Sequence, residues 1–98
     1  TIDLTLSAQS PLYAGLTISE VGGRLTLADA EAAETLNTIG RNAKKMVDEA
    51  VSQGESEVTL TGPMAVQAYL VVFHVVVHRF GRVYYLDGRG HQMLIAAH

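Results

Sequence analysis

Cysteine is absent from the 98 residues, so neither a disulfide nor a thiolate-held metal can brace or equip the chain. Long apolar runs are absent as well. The longest, residues 68–77, is interrupted by His74 and falls well short of the roughly 20 residues that span a bilayer. No basic segment followed by an apolar one opens the chain, so no secretory signal is expected, and a cytoplasmic location is the default expectation. The G-x-x-x-x-G-K-[ST] loop, a G-x-G-x-x-G turn after a strand and the G-x-S-x-G elbow are all missing. Phosphate cradling by a glycine loop and serine-elbow acyl chemistry are thereby excluded.

What is present suits one small globular domain spanning residues 1–98. Apolar residues make up 48% of the chain, enough for a single modest core and too many for a disordered segment. The net charge of −3 argues against broad binding to duplex DNA. That total hides an asymmetry. Residues 1–57 hold four basic and nine acidic side chains, a balance of −5. Residues 58–98 hold Arg79, Arg82 and Arg89 against Asp87 alone, a balance of +2. A small anionic ligand is therefore better received by the second half. A merely solvated acidic face accounts for the first half equally well.

Ile2, Leu4 and Leu6 alternate with polar residues, the period of a half-buried strand. Residues 13–21 alternate again, so the two stretches are expected to pair, with Gly22-Gly23 closing the unit. Thr26 and Asp29 resemble a helix cap. From residue 28 to about 51, Ala32, Leu36, Ile39, Ala43, Val47 and Ala50 recur at helical spacing, opposite a charged face. Glu57–Thr61 reads as a short strand ended by Gly62-Pro63. A second helix, apolar nearly all round, is expected over residues 64–80, since proline suits its first position and seventeen residues exceed a normal strand. So apolar a helix in so small a domain implies self-association. Residues 82–87 and 91–97 complete the chain as a hairpin. The order ββαβαββ, with right-handed crossovers, predicts an α+β ferredoxin-like sandwich: two helices on one face of a mostly antiparallel sheet.

The candidate chemical groups lie in residues 57–98, which hold all four histidines. His74 and His78, at i and i+4, share one helical face. They could bind a metal, or could equally be two histidines at a buried or subunit interface. Asp87 and Arg89 end a strand between glycines, where a ligand could approach the backbone; as plain turn residues they have an alternative explanation that is favoured on spacing alone. Thr61, Gly62 and Pro63 have the same two readings, because a helix N-terminus behind them would attract phosphate. Acid–base chemistry would rest on His78 with Asp87, and charge stabilisation on arginine.

Taken together, G-P at 62–63, H-x-x-x-H at 74 and 78, D-x-R at 87–89 and A-H at 97–98 resemble one family. It is the small ferredoxin-like ring nucleases associated with type III CRISPR systems, stand-alone or fused to an AAA domain. The resemblance implies a phosphodiesterase that cleaves the cyclic tetra-adenylate messenger and so turns off antiviral signalling, supported by manganese. It implies a homodimer, with two dimers or a filament enclosing the ring. His78 and Asp87 would be the catalytic pair and Arg89 a phosphate ligand. Thr61, Gly62, Pro63 and His74 would contribute to substrate binding, and His98 to a metal. Where the family commonly has D-P-[RK]-L, this chain has Asp87-Gly88-Arg89-Gly90. The alternative is a module of the same fold that binds a cyclic oligoadenylate without cutting it, or that only oligomerises.

Overall fold

A computed structural model describes residues 2–7, 9–29, 32–63 and 66–97. Its strands are β1 (Ile2–Asp3), β2 (Ile18–Val21), β3 (Arg24–Leu27), β4 (Glu57–Thr61), β5 (Arg82–Leu86) and β6 (Gln92–Ala97). The helices are α1 (Ala33–Ser52) and α2 (Val66–Val77), with a 3₁₀ turn at Pro11–Tyr13. The α+β class with two helices is as expected. The order and pairing of the strands are not.

Four strands form one sheet in the order β1-β4-β5-β6. β4 pairs in parallel with β1 and with β5, and β6 returns antiparallel to β5. The sheet is therefore mixed rather than mostly antiparallel. Strands joined through a helix are direct neighbours, without the interposed strand of a split ferredoxin-like connection. Both helical crossovers step across the sheet in one direction. Right-handed connections then place both helices on one face, and α1 and α2 pack together there.

The expected pairing of the first two β-rich stretches is replaced by two others. Ile2 and Leu4 are 6% and 0% exposed, and that burial comes from lying beside central β4, where Ile2 is in register with Leu60 and the Leu4 amide donates to the Thr61 carbonyl. The second stretch pairs instead with residues 24–27, read above as the approach to a helix. Gly22 and Gly23, at φ +59° and +79°, form the two-residue turn between them. Positive φ at both positions is what a type I′ hairpin turn needs. Thr26 is thus a strand residue, not a cap, and α1 starts at Ala33. Ala30 and Glu31 lie outside the described residues.

The α1 stripe is buried where its period places it, at Ile39, Ala43 and Val47. The Glu55 and Gly54 amides, donating to the Ala50 and Val51 carbonyls, close its C-terminus as a Schellman motif. From α2, Ala68, Val72 and Val76 enter the same core, with Val58, Leu60 and Val83 from the sheet. The Tyr13 hydroxyl donates to the Leu4 carbonyl, and Asn42 Nδ2 donates to the Leu12 and Ala14 carbonyls at 2.9 and 3.0 Å. The Asn42 bonds fasten residues 12–14 onto α1, and the Tyr13 bond ties that segment to Leu4. Among the described residues, no helix is long and apolar enough to cross a membrane.

Candidate functional site at the carboxyl edge of the sheet

Parallel pairing puts the ends of β1, β4 and β5 side by side: Asp3 opposite Thr61, and Thr61 opposite Leu86. The segments leaving these ends are Thr61-Gly62-Pro63 and Asp87-Gly88-Arg89. Two predicted groups of site residues, distant in sequence, thus share one edge. Thr61 Oγ1 donates to the Leu86 carbonyl at 2.9 Å and so ties the ends of β4 and β5 together.

Asp87 organises the β5–β6 hairpin. Its Oδ1 accepts the amides of Arg89 at 2.8 Å and His91 at 2.9 Å, while Oδ2 lies 3.8 Å from His91 Nδ1. A short side chain that bonds to backbone two residues on is the usual device of such turns. It leaves Arg89 exposed at the tip. The other two arginines of this half are engaged at the opposite edge: Arg79 with Asp48 of α1, and Arg82 with Glu57 at 3.4 Å. The positive balance read from the sequence therefore reduces to Arg89 here.

Gly62 occupies a crowded position. At φ +98°, a Cβ there would stand 2.3 Å from Asp3 Oδ1 and 2.6 Å from the Thr5 amide nitrogen. The Asp3 carboxylate in turn accepts the Thr5 hydroxyl at 2.6 Å and amide at 2.9 Å. Those two bonds, the hydroxyl foremost, hold its pKa below the ordinary value. Tyr69 closes the arrangement from α2: its hydroxyl donates to the Gly62 carbonyl, and its ring meets Tyr85 edge-on at 5.9 Å. Glycine at 62 thus lets the chain pass against the Asp3–Thr5 turn, a different role from keeping an approach open for ligand.

Burial, then the neighbouring Tyr85 and Asp3, pushes the Tyr69 pKa up to about 12 from an ordinary 10. Burial raises that of Tyr13 further. Each is raised on folding, so each favours the folded state below about pH 10. Between there and the folded values the unfolded chain holds fewer protons, and stability falls as pH rises. The urea midpoint is expected to drop steeply from pH 10 to 12, and less steeply for Tyr69→Phe. An unchanged slope in that variant would remove Tyr69 from this account.

His78 does not join Asp87 within one chain. α2 leaves the carboxyl edge after β4 and returns to the amino edge before β5, so His78 lies near Arg82, at the far end from Asp87. Five-residue β5 separates the two ends by roughly 16 Å. His74 and His78 are both exposed, their rings edge-on with centroids 4.8 Å apart. His74 lines a groove of about 630 Å³ between the helices, with Arg41 and Lys44 across from it on α1. His98 and the first residues of the predicted second helix, Met64 and Ala65, lie outside the described residues. Among the described residues, no three His, Asp or Glu side chains converge as metal ligands.

Asp3, Thr5, Tyr69 and His91 belong to this edge and were not singled out by sequence reasoning. The D-x-T of Asp3–Thr5 is a recognisable turn signal. Nothing in the local sequence ties Tyr69 to Gly62. Comparison with known protein families, with curated proteins and with solved structures yields no match.

Proposed function

We propose that the chain is a ring nuclease: a phosphodiesterase that opens cyclic tetra-adenylate and so ends type III CRISPR antiviral signalling. The observation that carries this reading is the gathering of Thr61, Gly62, Pro63, Asp87 and Arg89 on one carboxyl edge. Ligands of sheets with parallel strands bind outside that edge, and these residues carry the family resemblance. The ribose 2′-oxygen attacks the adjacent phosphorus as the bond to the 5′-oxygen breaks. The products are a 2′,3′-cyclic phosphate and a 5′-hydroxyl. A base must take the 2′-proton and an acid must protonate the leaving oxygen, while Arg89 balances charge on the equatorial oxygens.

With His78 and Asp87 at opposite ends of each chain, this pair forms only when the amino edge of one copy meets the carboxyl edge of another. A dimer of dimers, or a filament, enclosing the ring supplies that contact. Manganese, which the family resemblance implies, is a variable of the test. The same separation favours a second reading, in which the carboxyl edge binds the ring without cutting it.

The deciding experiment follows radiolabelled cyclic tetra-adenylate by chromatography, with and without manganese. Linear di- or tetra-adenylate is expected from the parent chain, with loss of at least about 100-fold in His78→Ala and retained binding. An intact ring that comigrates with the protein establishes the binding module instead. A ring neither bound nor broken ends both readings.

A further inference from the structure

The described histidines divide between the two ends of the molecule. His74 and His78 belong to α2 and the turn after it, whereas His91 immediately precedes β6, four residues after Asp87 and on the carboxyl edge. Backbone and side chain together fix the Asp87–His91 pairing. The Asp87 amide donates to the His91 carbonyl at 3.0 Å, and the His91 amide donates to Asp87 Oδ1 at 2.9 Å. The two residues therefore face each other across the Gly88-Arg89-Gly90 turn, with His91 Nδ1 3.8 Å from Asp87 Oδ2. Closing that contact to a hydrogen bond takes about 1 Å of side-chain movement. The His91 side chain is 76% exposed, so no role in packing accounts for it. Arg89 is exposed within the same turn.

We infer that His91 is a catalytic residue of this edge, the base that takes the ribose 2′-proton, with Asp87 as its positioning residue. The inference rests on the proposed function and assigns the two proton transfers which that reaction requires. A carboxylate facing Nδ1 favours the tautomer that carries its proton there, which leaves the Nε2 lone pair free to accept one. The 2′-hydroxyl proton passes to Nε2 as the 2′-oxygen bonds to phosphorus. The bond from phosphorus to the 5′-oxygen breaks, and that oxygen keeps the electron pair and takes a proton from the protonated ring of His78 of another copy. Attacking and leaving oxygens lie roughly in line on opposite sides of phosphorus, so base and acid must approach from opposite sides. His91 on the carboxyl edge of one copy and His78 on the amino edge of the next meet that requirement, which two groups of one edge do not. Arg89, between Asp87 and His91 in the chain, is left to the phosphate itself.

The test is single-turnover cleavage of radiolabelled cyclic tetra-adenylate by the parent chain, His91→Ala and His91→Gln. Both variants keep the backbone bonds of the turn, and slow amide exchange at Arg89 and at position 91 checks that they do. Each is expected to cleave at least about 100-fold more slowly than the parent while still binding the ring. Added imidazole should speed His91→Ala about 10-fold or more, because it can enter the space left by the ring, and should leave His91→Gln slow. Rescue of this kind follows a lost proton transfer and not a lost structural contact. A His91→Ala chain that cleaves like the parent overturns the inference while the ring-nuclease reading stands. A slow His91→Ala chain that imidazole does not rescue overturns it as well, again without touching that reading. A parent that leaves the ring intact overturns both.

Discussion

Replacing Gly62 by alanine is expected to destabilise the fold by about 3 kcal/mol or more. Two costs act together. A backbone φ of +98° is one that residues with a Cβ rarely adopt. The new methyl would also overlap Asp3 Oδ1, Thr5 Oγ1 and the Thr5 amide nitrogen at 2.3, 2.5 and 2.6 Å. Side chains can swing away, but the amide cannot. It belongs to the segment that adds β1 to the sheet, where the Leu4 amide donates to the Thr61 carbonyl. Relief must therefore displace β1, and with it the buried Ile2 and Leu4. For a domain of this size the loss corresponds to a fall in Tm of roughly 10–20 °C. Adding Asp3→Ala and Thr5→Ala should recover only part of it, since the amide and the backbone strain persist. Gly88→Ala, with open space around it, should be close to neutral. Urea denaturation of these variants beside the parent checks all of this. A Gly62→Ala chain within about 1 kcal/mol of the parent would show that the close approach does not constrain the fold.

The sequence made elements legible where their periods are long or their ends marked. The α1 stripe declares its buried face. β4, β5 and β6 fall within a residue or two of their expected bounds. Pairing was not legible, because period-2 alternation says which side of a strand is buried and not what lies beside it. Ile2 and Leu4 would alternate identically in a hairpin or beside β4. The long-range packing of the core decides. Gly22-Gly23 carried usable information, since two adjacent glycines between alternating runs are a hairpin signal. The cap-like Thr26 and Asp29 compete with that signal, pointing to a helix start just beyond it.

The candidate site was legible in part for the same reason. Asp87 and Arg89 are close in sequence, and their hairpin follows from local turn chemistry. That Thr61-Gly62-Pro63 reaches the same edge depends on β4 and β5 being parallel neighbours, which no spacing reveals. The separation of His78 from Asp87 follows from the same fact. A helix between two parallel strands must carry the chain back to the opposite edge, so a residue at its end cannot meet one at the end of the next strand.

Asp87→Asn is expected to lower turnover of cyclic tetra-adenylate by about 100-fold or more while changing stability by no more than about 1 kcal/mol. The asymmetry comes from the division of labour within one carboxylate. Oδ1 accepts the Arg89 and His91 amides, and asparagine retains an oxygen able to do so. What asparagine lacks is the negative charge, which in the proposed reaction is needed to move a proton and which also faces His91 across the hairpin. Asp87→Ala removes both functions. It should reduce turnover similarly but also loosen the hairpin tip, costing a further 1 kcal/mol or so. Amide exchange at Arg89 and His91 separates the two variants: slow in Asp87→Asn, fast in Asp87→Ala. If Asp87→Asn turns over like the parent and Asp87→Ala does not, the carboxylate serves only to shape the hairpin that presents Arg89. Proton transfer would then fall to other groups, and His78 from another copy becomes the first to test. If turnover collapses in Asp87→Asn with the hairpin intact and the ring still bound, the charge of Asp87 takes part in the reaction.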